Sequence, residues 1–343
     1  MSTLLEQIKQ VDLGNVAIFS GAGVDPDGLA SSLAMKMIVE SFGGNAQCFY
    51  RGSFNRPQNK TVREVLALSL KGVDETDFNA DCGYTLYISV DGPGEVCPMW
   101  PDFIIDHHKP GKEASKGTDV REIGSASAIL WEYCMAAGID FEDEKGKKLA
   151  TALAVGILTD TNNFKIPQCA ELDFKAAAHC LQNKDYKTFL AIQNWSKPAY
   201  YHDLYSIGWE SKIMTGTVLV APLGPIPSGR AGIISDLAEK FGETDGINLC
   251  AVVAMVNSQI IMSVRISNSS IGVKDFVKIF GGGGGKDGAG VAIIDMPEPL
   301  FSNVNDEDRK RVFNSFFSII VDKALEFAGD GARPERQLID KEQ

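Results

Sequence analysis

Asp25, Asp27, Asp91, Asp106, His107, His108 and Asp160 are the residues of this 343-residue chain whose types and spacing could do chemistry. Asp25 and Asp27 flank Pro26 in GAGVDPDG, Asp91 follows YTLYISV, Asp106 to His108 lie within FIIDHHKP, and Asp160 closes KKLATALAVGILTD. Two carboxylates so close in sequence repel unless solvated or neutralised, and a divalent cation neutralises them well. An oxygen-rich set with one or two imidazoles suits manganese or magnesium better than zinc, which favours closed tetrahedra of thiolate and imidazole. Carboxylates shared by two ions about 4 Å apart would polarise a phosphorus centre and generate a hydroxide nucleophile near neutral pH. Each piece alone has a plainer reading. Asp27 could be a helix N-cap beside a turn aspartate, and two imidazoles on an extended segment could point one to the core and one to the surface. What they share is position, because each acid lies where a regular element hands over to another.

Elements that could gather them follow from the apolar patterning. VAIFS (16–20) reads as a buried strand, followed by a turn and the helix LASSLAMKMIVESF. QCFYRG (47–52) is a second strand and TVREVLALSL a helix; YTLYISV (84–90) and FII (103–105) are strands that stop at Asp91 and Asp106. Helices follow near SASAILWEYCMAAG and through KKLATALAVGILTD. The alternation predicts an α/β domain on a parallel sheet, with its site beyond the carboxyl ends of the strands. We place this domain at 1–190, a linker rich in aromatics and breaks at 191–212, and a smaller α+β domain at 213–343.

The second domain offers candidates for holding an anion. In FGGGGGKDGAG the glycines, Gly282, Gly283 and Gly284 among them, would let backbone N–H groups approach a phosphate in a loop, with Lys286 adding charge. A flexible turn is the alternative. Arg265 interrupts the apolar strand MSVRIS, where a guanidinium is costly unless it meets an anion or faces water at a sheet edge. The aromatics from Trp195 to Tyr205 could stack bases or simply pack, and Ser228 to Arg230 form a phosphate contact or a surface loop.

Composition narrows the function classes. With 44% hydrophobic and 23% charged residues the chain is an ordinary globular protein. A formal charge of −12 disfavours duplex DNA and favours short or small anionic substrates. Seven cysteines without a CxxC pair support neither a disulfide framework nor a thiolate zinc site. MSTLLEQIKQ carries no apolar leader core, and no stretch approaches the roughly 18 apolar residues of a membrane span. A cytoplasmic protein without membrane association is expected. The oligomeric state stays open, a homodimer included.

DPDG with Ala30 and Ser31 behind it, ISVDGPGE, FIIDHHKP and GILTDTNNF resemble, in order, the four motifs of the DHH phosphoesterase family. SVR followed by FGGGGGKDGAG resembles the DHH-associated domain of that family's oligoribonuclease and nucleotide-phosphatase branch. The resemblance covers nearly the whole chain. It implies an active site in the cleft between the two domains and two manganese ions, with magnesium as an alternative. Asp25 would hold the first ion and Asp27 the second, Asp91 would bridge both, and His107 and Asp160 would complete the second. Asp106 would orient the adjacent imidazole, and His108 would face the substrate phosphate. Ser31, Arg265, the glycine run and Lys286 would contact substrate. The implied activity is hydrolysis of very short single-stranded oligonucleotides to mononucleotides. The family's other uses are 3′-phosphoadenosine 5′-phosphate, cyclic dinucleotides and short polyphosphate.

The chain departs from the family at two positions. A histidine usual four residues before the first aspartate is Gly21, and one usual after four glycines of the second domain is Gly285. Glycine adds no bulk, so the expectation is an open position that water can fill, a weakened first metal site, or a protein that binds nucleotide with little turnover.

Overall fold

The computed structural model describes residues 3–21, 25–52, 54, 56–75, 78, 82–267, 272–281, 283–286, 288–296 and 305–329. They fall into two compact units, 1–195 and 196–343.

The first unit runs α1 (Thr3–Gln10), β1 (Val16–Ser20), α2 (Pro26–Ser41), β2 (Ala46–Tyr50), α3 (Pro57–Val65), β3 (Leu70–Gly72), β4 (Leu86–Val90), β5 (Phe103–Asp106) and β6 (Gly117–Val120). Four helices complete it: α4 (Ala126–Ala136), α5 (Glu144–Asp160), α6 (Glu171–Asn183) and α7 (Tyr186–Gln193). The strand order is β3-β2-β1-β4-β5-β6, and every pairing is parallel. Winding outward from β1 to β3 and then returning to the other side of β1 makes β1/β4 the topological switch point. There the loops leaving neighbouring strands part and open a crevice.

β1 shows why the sheet is buried on both faces. Val16 and Ile18 join Leu29 and Ile38 of α2 in the main core, while Ala17 and Phe19 pack with Phe49 in a separate aromatic cluster. Successive side chains alternate faces, so a strand covered on both sides reads as unbroken apolar sequence. α3 stops at Val65 rather than running on through the expected TVREVLALSL. Ala67 takes a left-handed φ of 44°, and Leu70–Gly72 pair with β2 instead.

The second unit holds α8 (Ala199–Glu210), β7 (Ile213–Thr215), β8 (Val218–Ile226), α9 (Ile233–Gly242), β9 (Leu249–Val256), β10 (Gln259–Ile266), α10 (Val273–Lys278), β11 (Gly283–Lys286), β12 (Ala289–Asp295) and α11 (Asp306–Ala328). Its sheet order is β11-β12-β10-β9-β8-β7, antiparallel except for β8 with β9. The core under it is Val220, Val253, Met262 and Val264 against Phe276, Phe313 and Ile320. In α8, Tyr205 and Trp209 rest on Phe241 at ring-centroid distances of 5.2 and 5.4 Å, so these aromatics pack their own unit.

Residues 283–286 are not the expected loop. They form a strand whose Gly285 faces Gly290 across the ladder with β12. Without side chains the two strands close up: a Cβ on Gly283 would lie 2.2 Å from the Val291 carbonyl oxygen. Among the described residues, no helix is long and apolar enough to cross a membrane.

Candidate metal centre

Asp25, Asp27, Asp91 and Asp106 follow or close β1, β4 and β5, so three neighbouring strands deliver them to the switch point. Asp25 caps α2, its Oδ1 accepting from the Gly28 N–H at 2.9 Å. Asp27, the second residue of α2 and 1% exposed, receives the Ala126 N–H on Oδ2 (2.8 Å) and the Ser127 N–H on Oδ1 (2.9 Å). These two amides open α4, and the positive end of a helix favours a carboxylate there. Each Asp27 oxygen is engaged once and retains a lone pair for a second partner.

Asp91 occupies the left-handed region at φ 53°, a backbone cost of about 1–3 kcal/mol for a residue other than glycine. Its N–H donates to the Ile105 carbonyl at 2.9 Å, which ties the end of β4 to β5. A Cβ on Gly28 would lie 3.0 Å from Asp91 Oδ2 and 3.5 Å from Asp25 Oδ1, so these two carboxylates converge on the first turn of α2.

His107 is the centre of the group. Nδ1 lies 3.1 Å from the Ile123 carbonyl oxygen, which can only accept, so Nδ1 donates there and Nε2 is the nitrogen turned toward the acids. Nε2 is buried without a hydrogen-bond partner among the described residues. It sits 3.1 Å from Asp160 Oδ2, 3.3 Å from Asp91 Oδ1 and 3.8 Å from Asp27 Oδ2. Asp160 arrives at the last turn of α5. That helix comes close to α4 because a Cβ on Gly156 would stand 2.4 Å from Ser127 Oγ.

Asp106 orients His108 rather than the ring of His107. Its Oδ1 accepts from His108 Nδ1 at 2.8 Å and from the backbone N–H groups of His107 (2.8 Å) and His108 (3.2 Å). The His108 side chain is 47% exposed, with Nε2 on the far side of the ring from this anchor. The orientation of His107 comes from Ile123, and no sequence motif pointed to it because the acceptor is a main-chain carbonyl. The amides of α4 were equally invisible as partners of Asp27, although Ser125 in SASA is a recognisable N-cap.

The electrostatics would favour a cation here. Burial raises the Asp91 carboxyl well above the ordinary range, and repulsion from Asp27, Asp25, Asp160 and Asp106 raises it further. Burial also raises Asp27, against the pull of His107 and the bonds from Ser127. Asp106 goes the other way: burial would raise it, but the hydrogen bonds and charge of His108 outweigh that and lower it. Two sets of ligand atoms lie within 4.8 Å of one another: Asp27, His107 and Asp160, and Asp91, Asp106, His107 and His108. Carboxylate oxygens around one imidazole nitrogen fit manganese or magnesium. Asp25 belongs to neither tight set, and its Oδ1 is already a helix cap.

Gly21 is not an open position. A Cβ there would meet the Asp91 carbonyl oxygen at 2.0 Å, and a Cβ on Gly92 would lie 2.7 Å from Gly21 Cα. The ends of β1 and β4 touch backbone to backbone, and the direction a histidine would take is filled. At Gly285 a Cβ would sit 2.9 Å from the Ala289 carbonyl oxygen and 3.1 Å from Val273 Cγ1, so that position is filled too.

Other expected contacts are placed as follows. Ser31 is fully buried on α2 and its hydroxyl has no hydrogen-bond partner among the described residues. In the second unit Arg265 is half-buried on β10, donating to Ser263 Oγ (3.2 Å) and to the carbonyls of Val264 (2.9 Å) and Ser235 (3.4 Å). Gly283, Gly284 and Lys286 lie on β11, and Gly282 lies outside the described residues. Ser228–Arg230 form a single 3-10 turn, with the Arg230 guanidinium 4.5 Å above the Tyr200 ring.

An exopolyphosphatase-related protein from Bacteroides fragilis superposes on this chain with a TM-score of 0.69 at 14% identity, covering 93% of this chain and 96% of that one. The two share a fold. An uncharacterized protein of Methanocaldococcus jannaschii is 28% identical over 313 residues, 90% of this chain. The chain spans 63% of that relative's length. RecJ from Thermus thermophilus in complex with Mn2+ covers 92% of this chain and 54% of its own at 16% identity, but its TM-score of 0.47 is too low to bear on function. No family model matches the chain.

Proposed function

We propose that this protein is a metal-dependent phosphoester hydrolase that cleaves very short single-stranded oligonucleotides, dinucleotides above all, to mononucleotides. The observation that carries the reading is His107 Nε2, buried and aimed at the carboxylates of Asp27, Asp91 and Asp160. These four residues would hold the first-filled divalent ion, manganese or magnesium. Asp25 and Asp91, converging at Gly28, would hold a second. When bound, such ions polarise a phosphoryl oxygen and make water a nucleophile near neutral pH.

The chain's own groups do the rest. His108, anchored through Nδ1 by Asp106, presents Nε2 outward; in its protonated form it donates to the substrate phosphate or steadies the leaving oxygen. Arg265, the glycines of β11 and Lys286 are the candidates for holding the far phosphate or base. They would set how long a substrate is accepted.

A second reading, hydrolysis of short polyphosphate, draws support from the structural likeness to an exopolyphosphatase-related protein. Initial rates with Mn2+ on a 5′-phosphorylated dinucleotide, 3′-phosphoadenosine 5′-phosphate, a cyclic dinucleotide and short polyphosphate separate the two. The dinucleotide is expected to give the highest kcat/KM, with mononucleotides as products. Preference for polyphosphate would favour the second reading. Binding without turnover of any member would replace both with a nucleotide sensor.

A further inference from the structure

Asp173 lies outside every motif noted in the sequence, in the first turn of α6, and is fully buried. Its carboxylate accepts the Gly124 N–H on Oδ2 (2.9 Å), the Ser125 hydroxyl on Oδ1 (2.9 Å) and the Ala170 N–H on Oδ2 (2.8 Å). Two of the three donors belong to one short segment, 123–127, and that segment touches the metal centre at three atoms. The Ile123 carbonyl receives His107 Nδ1 at 3.1 Å, and the Ala126 and Ser127 N–H groups hold Asp27 at 2.8 and 2.9 Å. There is no slack in the arrangement. A Cβ on Gly124 would lie 2.8 Å from Asp173 Oδ2 and 2.6 Å from Cγ2 of Thr161, the residue after Asp160.

We infer that Asp173 is a positioning residue for the metal centre, fixing segment 123–127 and through it the ring of His107 and the carboxylate of Asp27. The inference deepens the proposed metal site and rests on it where metal affinity is read. Its physical basis is satisfaction of donors. Without the carboxylate, the Gly124 N–H and Ser125 hydroxyl lose their acceptor in a buried place, and the segment moves to find others. An asparagine could keep one oxygen on the Gly124 and Ala170 N–H groups while its Nδ2 donates to Ser125 Oγ, since a hydroxyl accepts as well as donates.

The test uses the full chain as wild type, Asp173→Ala, Asp173→Asn and, as a stability control on the same helix, Cys180→Ala. Cys180 is buried in the core of the first unit. Mn2+ titration followed by electron paramagnetic resonance of the free ion should show affinity roughly 10–100-fold weaker for Asp173→Ala, the usual penalty for losing a group behind a ligand. Asp173→Asn should recover most of it, and Cys180→Ala should lower Tm with affinity unchanged. In the metal-free protein, the His107 Nδ1–H that meets the Ile123 carbonyl should give a slowly exchanging proton resonance in wild type and a fast-exchanging one in Asp173→Ala. If Asp173→Ala does not fold, Gly124→Ala replaces it, because its added methyl pushes the segment off Asp173. A folded variant of either kind with wild-type Mn2+ affinity and wild-type exchange of the His107 Nδ1–H would overturn the inference. So would an equal loss of affinity in Cys180→Ala. If wild type takes up no Mn2+, the metal-site reading fails, and the metal-free spectrum still decides the role of Asp173.

Discussion

Asp91→Asn is expected to abolish metal-dependent hydrolysis while leaving the metal-free protein at least as stable as wild type. The two effects have opposite signs because one carboxylate is responsible for both. Asp91 carries the heaviest electrostatic load in the site: burial first, then repulsion from Asp27, Asp25, Asp160 and Asp106. Removing its charge relieves that load. Asparagine keeps the shape and, like aspartate, tolerates the left-handed backbone that Asp91 adopts at φ 53°. What it cannot do is bind a cation as a carboxylate, and Asp91 is the residue that faces both His107 and Asp25. A fall in kcat/KM of about three orders of magnitude or more is expected, equivalent to about 4 kcal/mol of transition-state stabilisation. Steady-state kinetics with Mn2+ and a thermal melt in chelator check the two halves. Retained turnover, or a large drop in metal-free Tm, contradicts the role given to this residue.

The second large effect is the pH dependence of stability with and without metal. Asp91 and Asp27 are raised in the folded state, so the native protein binds protons more tightly there than the unfolded chain does. A raised carboxyl contributes stability that is fully present below its unfolded value, near 4, and lost as pH rises through its folded value. In chelator, therefore, Tm should fall as pH is brought from acid toward neutral. Asp106, lowered by its bonds to His108, acts in the opposite sense and loses its contribution only as pH falls in strong acid. Metal binding needs the deprotonated forms, so Mn2+ should stabilise little in acid and strongly at neutral pH. At an Mn2+ concentration 100 times Kd the gain is about 2.7 kcal/mol, or roughly 5–10 °C for a unit of this size. Calorimetric melts across pH with Mn2+ or chelator measure it. An equal metal effect at all pH values would show that raised carboxyls are not what the ion neutralises.

The parallel sheet and the acids at its strand ends were legible because they are local. A buried strand writes itself as VAIFS, and an acid after it stands at the carboxyl end whatever the neighbours do. The glycines were not. Gly21 looked like a vacated position, but its space is decided by the side-by-side register of β1 with β4, which brings the Asp91 carbonyl against it. The run at 283–286 looked like a loop because glycine is usually a breaker; it is a strand because it pairs with β12, whose backbone leaves no room for a side chain at Gly283 and Gly285. The role of Ile123 is carried by a carbonyl and that of Asp173 by contacts 48 and 49 residues away, and neither leaves a spaced pattern to read.

In the proposed mechanism the carboxylates around His107 hold the ion that drives hydrolysis. Crystals grown in chelator and soaked in Mn2+, with data collected on either side of the manganese absorption edge, locate that ion without reference to activity. An anomalous peak bonded to His107 Nε2 and to Asp27, Asp91 and Asp160 is expected, and it should be absent from Asp91→Asn crystals soaked alike. A map with no peak at His107, or with manganese only at other residues, would contradict the assignment.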